Sequence, residues 1–151
     1  MTGVQTCALP ILQVIPIYST DSALPINDPG ADYKVYFDLL TDWAKYSSDG
    51  ESSVEIRIPK EYLPFSNKLS QYAIFHENNH THPDHVKFVN DLIKDVDSKI
   101  NFTGANAVIV VVPPGTPLTL FQQGALKEFN TAEGRIESGS SMYPLTLKDL
   151  N

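Results

Sequence analysis

The chain has 151 residues, with 11 Lys and Arg against 18 Asp and Glu, a net charge of −7, four histidines and one cysteine. That length bounds it to one domain with a real core. The acidic balance speaks against a nucleic-acid partner, no apolar run approaches the ~20 residues of a membrane span, and a single Cys7 offers no disulfide.

Met1 to Ile11, MTGVQTCALPI, resembles a translated sequencing adapter and is expected to be foreign to the natural protein. It holds Cys7 and no charged residue, so residues 12–151 are expected to form a cysteine-free, single but incomplete α/β domain that carries the whole net charge. Any leader that preceded it in the gene is expected to be lost.

Leu12 to Ser19, LQVIPIYS, is apolar and β-branched enough for a strand, which Pro16 would confine to an edge, an end or a bulge. TDSALPINDPGA follows as a loop rich in turn formers. Asp32 is placed to cap a helix whose Tyr33, Tyr36, Phe37, Leu40, Trp43 and Ala44 recur at helical spacing, which predicts a core-facing stripe. SSDG, Ser47 to Gly50, stops it.

Val54, Ile56 and Ile58 alternate with Glu55 and Arg57, the period of a half-buried strand, and Pro59 ends it. A short helix is expected from Asn67 through Phe75, with Leu69, Tyr72 and Ala73 on one side. After Pro83 the apolar stripe Val86, Val89, Leu92, Ile93, Val96, Ile100 predicts a second main helix. AVIVVV, Ala107 to Val112, reads as a central strand covered on both faces, and PPGTP breaks it. Residues 118–151 lack periodicity and predict loops with at most one short helix around Leu120 to Phe129. The order strand, helix, strand, helix, strand points to an α/β fold: a small mixed or parallel sheet of about three strands, two main helices and a loop-rich C-terminal third.

All four histidines fall in FHENNHTHPDH, and His76-Glu77-Asn78-Asn79-His80 satisfies the H-E-x-x-H pattern of zinc peptidases. That chemistry needs a continuous helix, so that two imidazoles one turn apart reach one metal while the Glu activates its water. Asn78, Asn79 and Thr81 are mediocre helix formers, and Pro83 disfavours helical geometry at His82. Three readings stay open: a catalytic zinc site, a weaker metal site drawing on His76, His80, His82 and His85, or a polar surface loop whose histidines are solvated or cap the next helix. Asp95 with Asp97, and Glu133 with Glu137, read as solvated charges without a nucleophile motif. PPGTP lacks the Gly-Lys-Ser/Thr of a phosphate loop. Asn79-His80-Thr81 and Asn101-Phe102-Thr103 match the glycosylation triplet and read as turns.

Taken together, LQVIPIYSTD, YFDLLTDWAKYSSDGESSVEIRIP, VKFVNDLIKDVD and INFTGANAVIVVVPPGTP resemble the N-terminal part of the catalytic region of immune inhibitor A-like secreted bacterial metallopeptidases. The resemblance spans roughly Leu12 to Leu150. It implies a zincin-like N-terminal subdomain, secretion, protein or peptide substrates and, in the intact enzyme, zinc. The family's zinc helix is expected after the apolar strand, whereas HENNH precedes it. No residue here therefore inherits a catalytic or cofactor-binding role, and the chain is expected to be a fragment, inactive alone. The rivals are a non-catalytic extracellular binding or surface module, and a weak metal-binding module built on the histidine cluster at 76–85.

Overall fold

The computed structural model describes residues 9–72, 82–121, 124–126, 128–142 and 144. Strand β1 (Ile11–Tyr18) leads through a loop to the one-turn helix α1 (Pro29–Asp32) and the long helix α2 (Lys34–Ser47). Strands β2 (Glu55–Arg57) and β3 (Leu63–Pro64) and a 3-10 turn at Leu69–Gln71 precede helix α3 (Pro83–Val96). Then come β4 (Ala107–Val111), β5 (Gly124–Leu126), the pair β6 (Phe129–Thr131) and β7 (Gly134–Ile136), and β8 (Gly139–Ser141).

The α/β class expected from the sequence is what forms, with more strands than the pattern suggested: a six-stranded sheet ordered β2-β1-β4-β8-β5, with β3 also beside β1, and a separate β6-β7 hairpin. The sheet is mixed. β1, β2, β3, β4 and β8 run parallel to one another, and β5 lies at one edge antiparallel to β8. No helix among the described residues is long and apolar enough to cross a membrane.

The run expected to be central is central, and its side chains explain the layering. Val108, Val110 and Val112 enter one apolar cluster with Phe88, Val89, Leu92 and Val96 of α3. Ile109 and Val111 enter a second with Tyr33 and with Phe37 of α2. β1 divides likewise, Ile15 and Ile17 to the first cluster and Val14 to the second. Alternate residues of a strand point to opposite faces, so a run apolar at every position requires a cover on both. The two helices supply it. At β8, Gly139 is required by close approach, since a Cβ there would lie 2.9 Å from Val108 Cγ2.

Pro16 does not confine β1 to an edge, because β1 lies between β4 on one side and β2 and β3 on the other. Its position resolves the conflict. β2 pairs with Ile11 to Gln13 and β3 with Ile17 and Tyr18, so Pro16 falls in the interval where only β4 is a neighbour. Locally the strand is an edge, and the missing donor interrupts no second ladder.

The first helix departs from expectation in its cap and its face. Asp28 caps α1, its Oδ1 accepting from Ala31 N at 2.8 Å with Pro29 at the first helical position, whereas α2, the helix expected to be capped by Asp32, has Tyr33 as its N-cap and no side-chain cap bond. Asp32 instead accepts the Tyr62 hydroxyl at 2.7 Å. Trp43, expected in the core, is 63% exposed, and Tyr46 is 85% exposed. The helix carries two apolar stripes, Tyr33-Phe37-Leu40-Ala44 and Val35-Leu39-Trp43-Tyr46, and a flat sheet can bury only one. The stripe led by Tyr33 and Phe37 wins. Its C-terminus ends as expected, with Asp49 and Gly50 at φ 53° and 83° and Gly50 N donating to Lys45 O at 2.7 Å.

The expected helix from Asn67 to Phe75 is represented by the 3-10 turn, which buries Leu69; Tyr72 beside it is also buried, and Ala73 and Phe75 lie outside the described residues. No helix forms within the described part of Leu120 to Phe129, where β5 and the start of β6 stand instead. Strands of three residues leave too short a repeat to register as a period.

The Tyr33 hydroxyl donates to Val112 O at 2.6 Å inside the second cluster, joining the start of α2 to the end of β4. Tyr33→Phe should lower the unfolding free energy by about 1–3 kcal/mol by leaving that buried carbonyl short of a donor. Urea titration checks this; unchanged stability would show that the bond carries nothing.

Candidate functional site

Pro83 opens α3 at its first turn and makes His82 the N-cap, whose ring Nδ1 accepts from Asp84 N at 3.2 Å. Of the roles left open for the histidines, capping the next helix is the one His82 takes. One turn further on, His85 joins the stripe His85-Phe88-Val89-Leu92-Val96 that faces the sheet, and it is only 2% exposed. Its Nδ1 lies 3.3 Å from Ala125 O of β5. A carbonyl can only accept, so Nδ1 is the donor in this contact. The ring's Nε2 is buried and, among the described residues, without a hydrogen-bond partner. Leaving a polar atom so placed costs on the order of 1–3 kcal/mol.

Gly124 of β5 lies beside the His85 ring. A Cβ at Gly124 would come 3.8 Å from His85 Cε1 and 3.6 Å from Ser141 Oγ. The hydroxyls of Ser140 and Ser141 donate to Gly124 O at 3.1 and 3.3 Å, holding β5 against β8. The His82 and His85 ring centroids are 6.3 Å apart at 66°.

Parallel α/β sheets usually place ligands beyond the carboxyl ends of the strands, where connections diverge. Here that point lies past β1 and β4, and the chain's own groups occupy it. Ala23 N donates to Thr116 Oγ1 at 3.2 Å, and Thr116 Oγ1 donates to Pro113 O at 2.7 Å, so PPGTP is a structural exit as expected. Asp21 accepts from Ser19 Oγ at 3.0 Å, Leu69 N at 2.8 Å and Ser70 N at 3.0 Å, capping the 3-10 turn. Burial raises the affinity of its carboxyl for a proton, but the Ser70 and Leu69 amides and the two serine hydroxyls outweigh that and lower the pKa.

Other candidates from the sequence prove structural. Asp95 accepts from Ser66 N and Oγ at 2.7 and 2.9 Å, and Asp97 accepts from Ala132 N at 3.1 Å, so neither is a merely solvated charge. Glu137 faces Arg135 at 3.5 Å on the surface. Asn101 turns back to accept from Thr103 N at 2.9 Å, the turn expected of it. His76 and His80, and with them the whole H-E-x-x-H pattern, lie outside the described residues. Among the described residues no group of three or more His, Cys, Asp and Glu side chains is placed to hold a metal ion.

The expected stripe on this helix left out two residues that are buried, Phe88 and His85, the latter because histidine is polar. Its spacing of three and four residues from Phe88 and Val89 was the available signal. No protein-family model matches the chain, and neither a curated protein nor a solved structure does.

A carboxyl with a lowered folded pKa stabilises above its unfolded value near 4 and loses that contribution as pH falls through the folded value. Asp21→Asn should therefore cost about 1 kcal/mol at neutral pH, with the gap to the parent narrowing under acid. Unfolding curves between about pH 7 and pH 2 test it. Parallel curves over that range would contradict the capping role.

Proposed function

We propose that this chain is the scaffold portion of a secreted zinc-dependent endopeptidase of the immune inhibitor A-like kind, acting on protein or peptide substrates. The observation that carries it is the sheet's mixed, open pattern: parallel β1, β4 and β8 followed by antiparallel β5, the outermost strand on that side among the described residues. An outer strand with a free backbone edge can take up an extended peptide by strand addition. The sequence stretches behind the resemblance fall on β1, α2 with β2, α3, and β4, the elements that build the sheet and its two covers.

The chain's described residues do not fit the zinc centre of such an enzyme. A catalytic zinc takes three protein ligands and keeps one open position, with a glutamate beside it. His82 and His85 bring two imidazoles, one already engaged as a cap. No step of hydrolysis is therefore assigned to them, and the zinc helix is expected in the sequence that continues the gene beyond Asn151.

Reading the gene onward decides the matter. An H-E-x-x-H helix is expected within about the next hundred residues. The chain extended through it should cleave casein, lose that activity to a chelator, and lose it again when the motif's glutamate becomes glutamine. An extended chain without such a helix, or cleavage indifferent to the chelator, would favour a non-catalytic extracellular binding module on the same scaffold.

A further inference from the structure

We infer that the outward face of α2 is a homodimer interface, on which a second copy of this chain docks its own α2 in antiparallel orientation. The peptidase reading is not needed for this, because the inference rests on how α2 divides its apolar residues. Val35, Leu39, Trp43 and Tyr46 form the stripe that the sheet leaves uncovered, and they are 65%, 65%, 63% and 85% exposed. From aromatic side chains of about 150–250 Å² each, Trp43 and Tyr46 together hold roughly 220–370 Å² of open surface. With Val35 and Leu39 the face reaches roughly 400–500 Å², within the range of the largest patch on a monomer, which is often functional. Two such faces joined remove roughly 800–1,000 Å² from water, where a specific interface needs about 1,000 Å² in total. Lys34, Asp38, Asp42 and Lys45, all exposed along one flank of the stripe, bring the sum past that threshold.

The order of the stripe selects the occupant. Its two smaller members, Val35 and Leu39, lie in the first half of the helix, and the larger Trp43 and Tyr46 lie in the second. An antiparallel copy sets Trp43 and Tyr46 of each chain across from Leu39 and Val35 of the other, so bulk meets space at both ends. A parallel copy would crowd four aromatic rings at one end and leave a gap at the other, which close packing disfavours. Antiparallel helices also place opposite dipole ends side by side. On the flank, Asp38 of one copy comes level with Lys45 of the other, a lysine without an ion pair among the described residues. The patch contacts itself about a two-fold axis, so assembly closes at two chains. The net charge of −7 on each copy opposes association, and the dimer should therefore be weak and tighten with added salt.

Sedimentation equilibrium across concentration tests this, read beside fluorescence. Trp43 is the chain's single tryptophan, so its emission reports on this face alone. Monomer and dimer should exchange with a dissociation constant on the order of 10–100 µM, and Trp43 emission should move to shorter wavelength in step with the dimer. Leu39→Lys and Val35→Lys, both at exposed positions, should each weaken association by about tenfold or more. If one of them does not fold, the other decides alone. A chain still monomeric at about 300 µM would overturn the interface, as would a dimer that the folded lysine variants form unchanged. Emission already at short wavelength at every concentration would show the face covered within one copy, and would overturn it equally.

Discussion

The structure depends on one strand being covered on both faces. From Val108 to Val112 every side chain is buried, alternately toward α3 and toward α2. Each such side chain contributes about 1.5–3 kcal/mol relative to exposure, so neither face can be left open. A strand of this kind cannot slip by one residue without exchanging its two sets of contacts. It thereby fixes the register of β1 on one side and β8 on the other.

The polar groups finish what the apolar clusters begin. Asn67 Nδ2 donates to the Tyr72 hydroxyl and to Asp91, Tyr72 donates to Asp91, and Lys87 reaches Asp91 while lying over the Tyr72 ring. Burial and the bond to Asp91 push the Tyr72 hydroxyl up, so it stays a donor at any ordinary pH. This network docks the segment after β3 onto α3, as Asp21 docks it onto the loop after β1. His85 then connects α3 to β5, the strand farthest from the core pair β1 and β4. The edge that the proposed function needs is therefore held by a helix as well as by its ladder with β8.

Helix α3 was legible because its apolar residues recur at helical spacing, although it ends at Val96 and not at Ile100, and strand β4 because it is apolar at every position. Strand β1 was legible as a strand but not as an interior one, since only the separate ends of β2 and β3 make room for Pro16. Trp43 misled because its spacing fits either of two stripes on α2, and packing alone chooses between them. Strands β5 to β8 were hidden by their brevity. Of the histidines, His82 could be placed as a cap from Pro83 beside it. His85 could not be placed inside by residue type, and only its alignment with Phe88 and Leu92 pointed there. The chemistry of the proposed peptidase was legible only as resemblance, because the residues that carry the likeness are scaffold residues.

Amide hydrogen exchange resolved by residue tests most directly whether β4 is the strand on which the rest is assembled. The amides of Val108 to Val111, all buried and with Val108 to Val110 paired to a parallel neighbour on each side, should be among the slowest in the chain and open only with global unfolding. Those of the β6-β7 hairpin, which among the described residues pairs with no other strand, should exchange much sooner. Exchange at Val108 to Val111 as fast as at Asn130 and Arg135 would contradict the account.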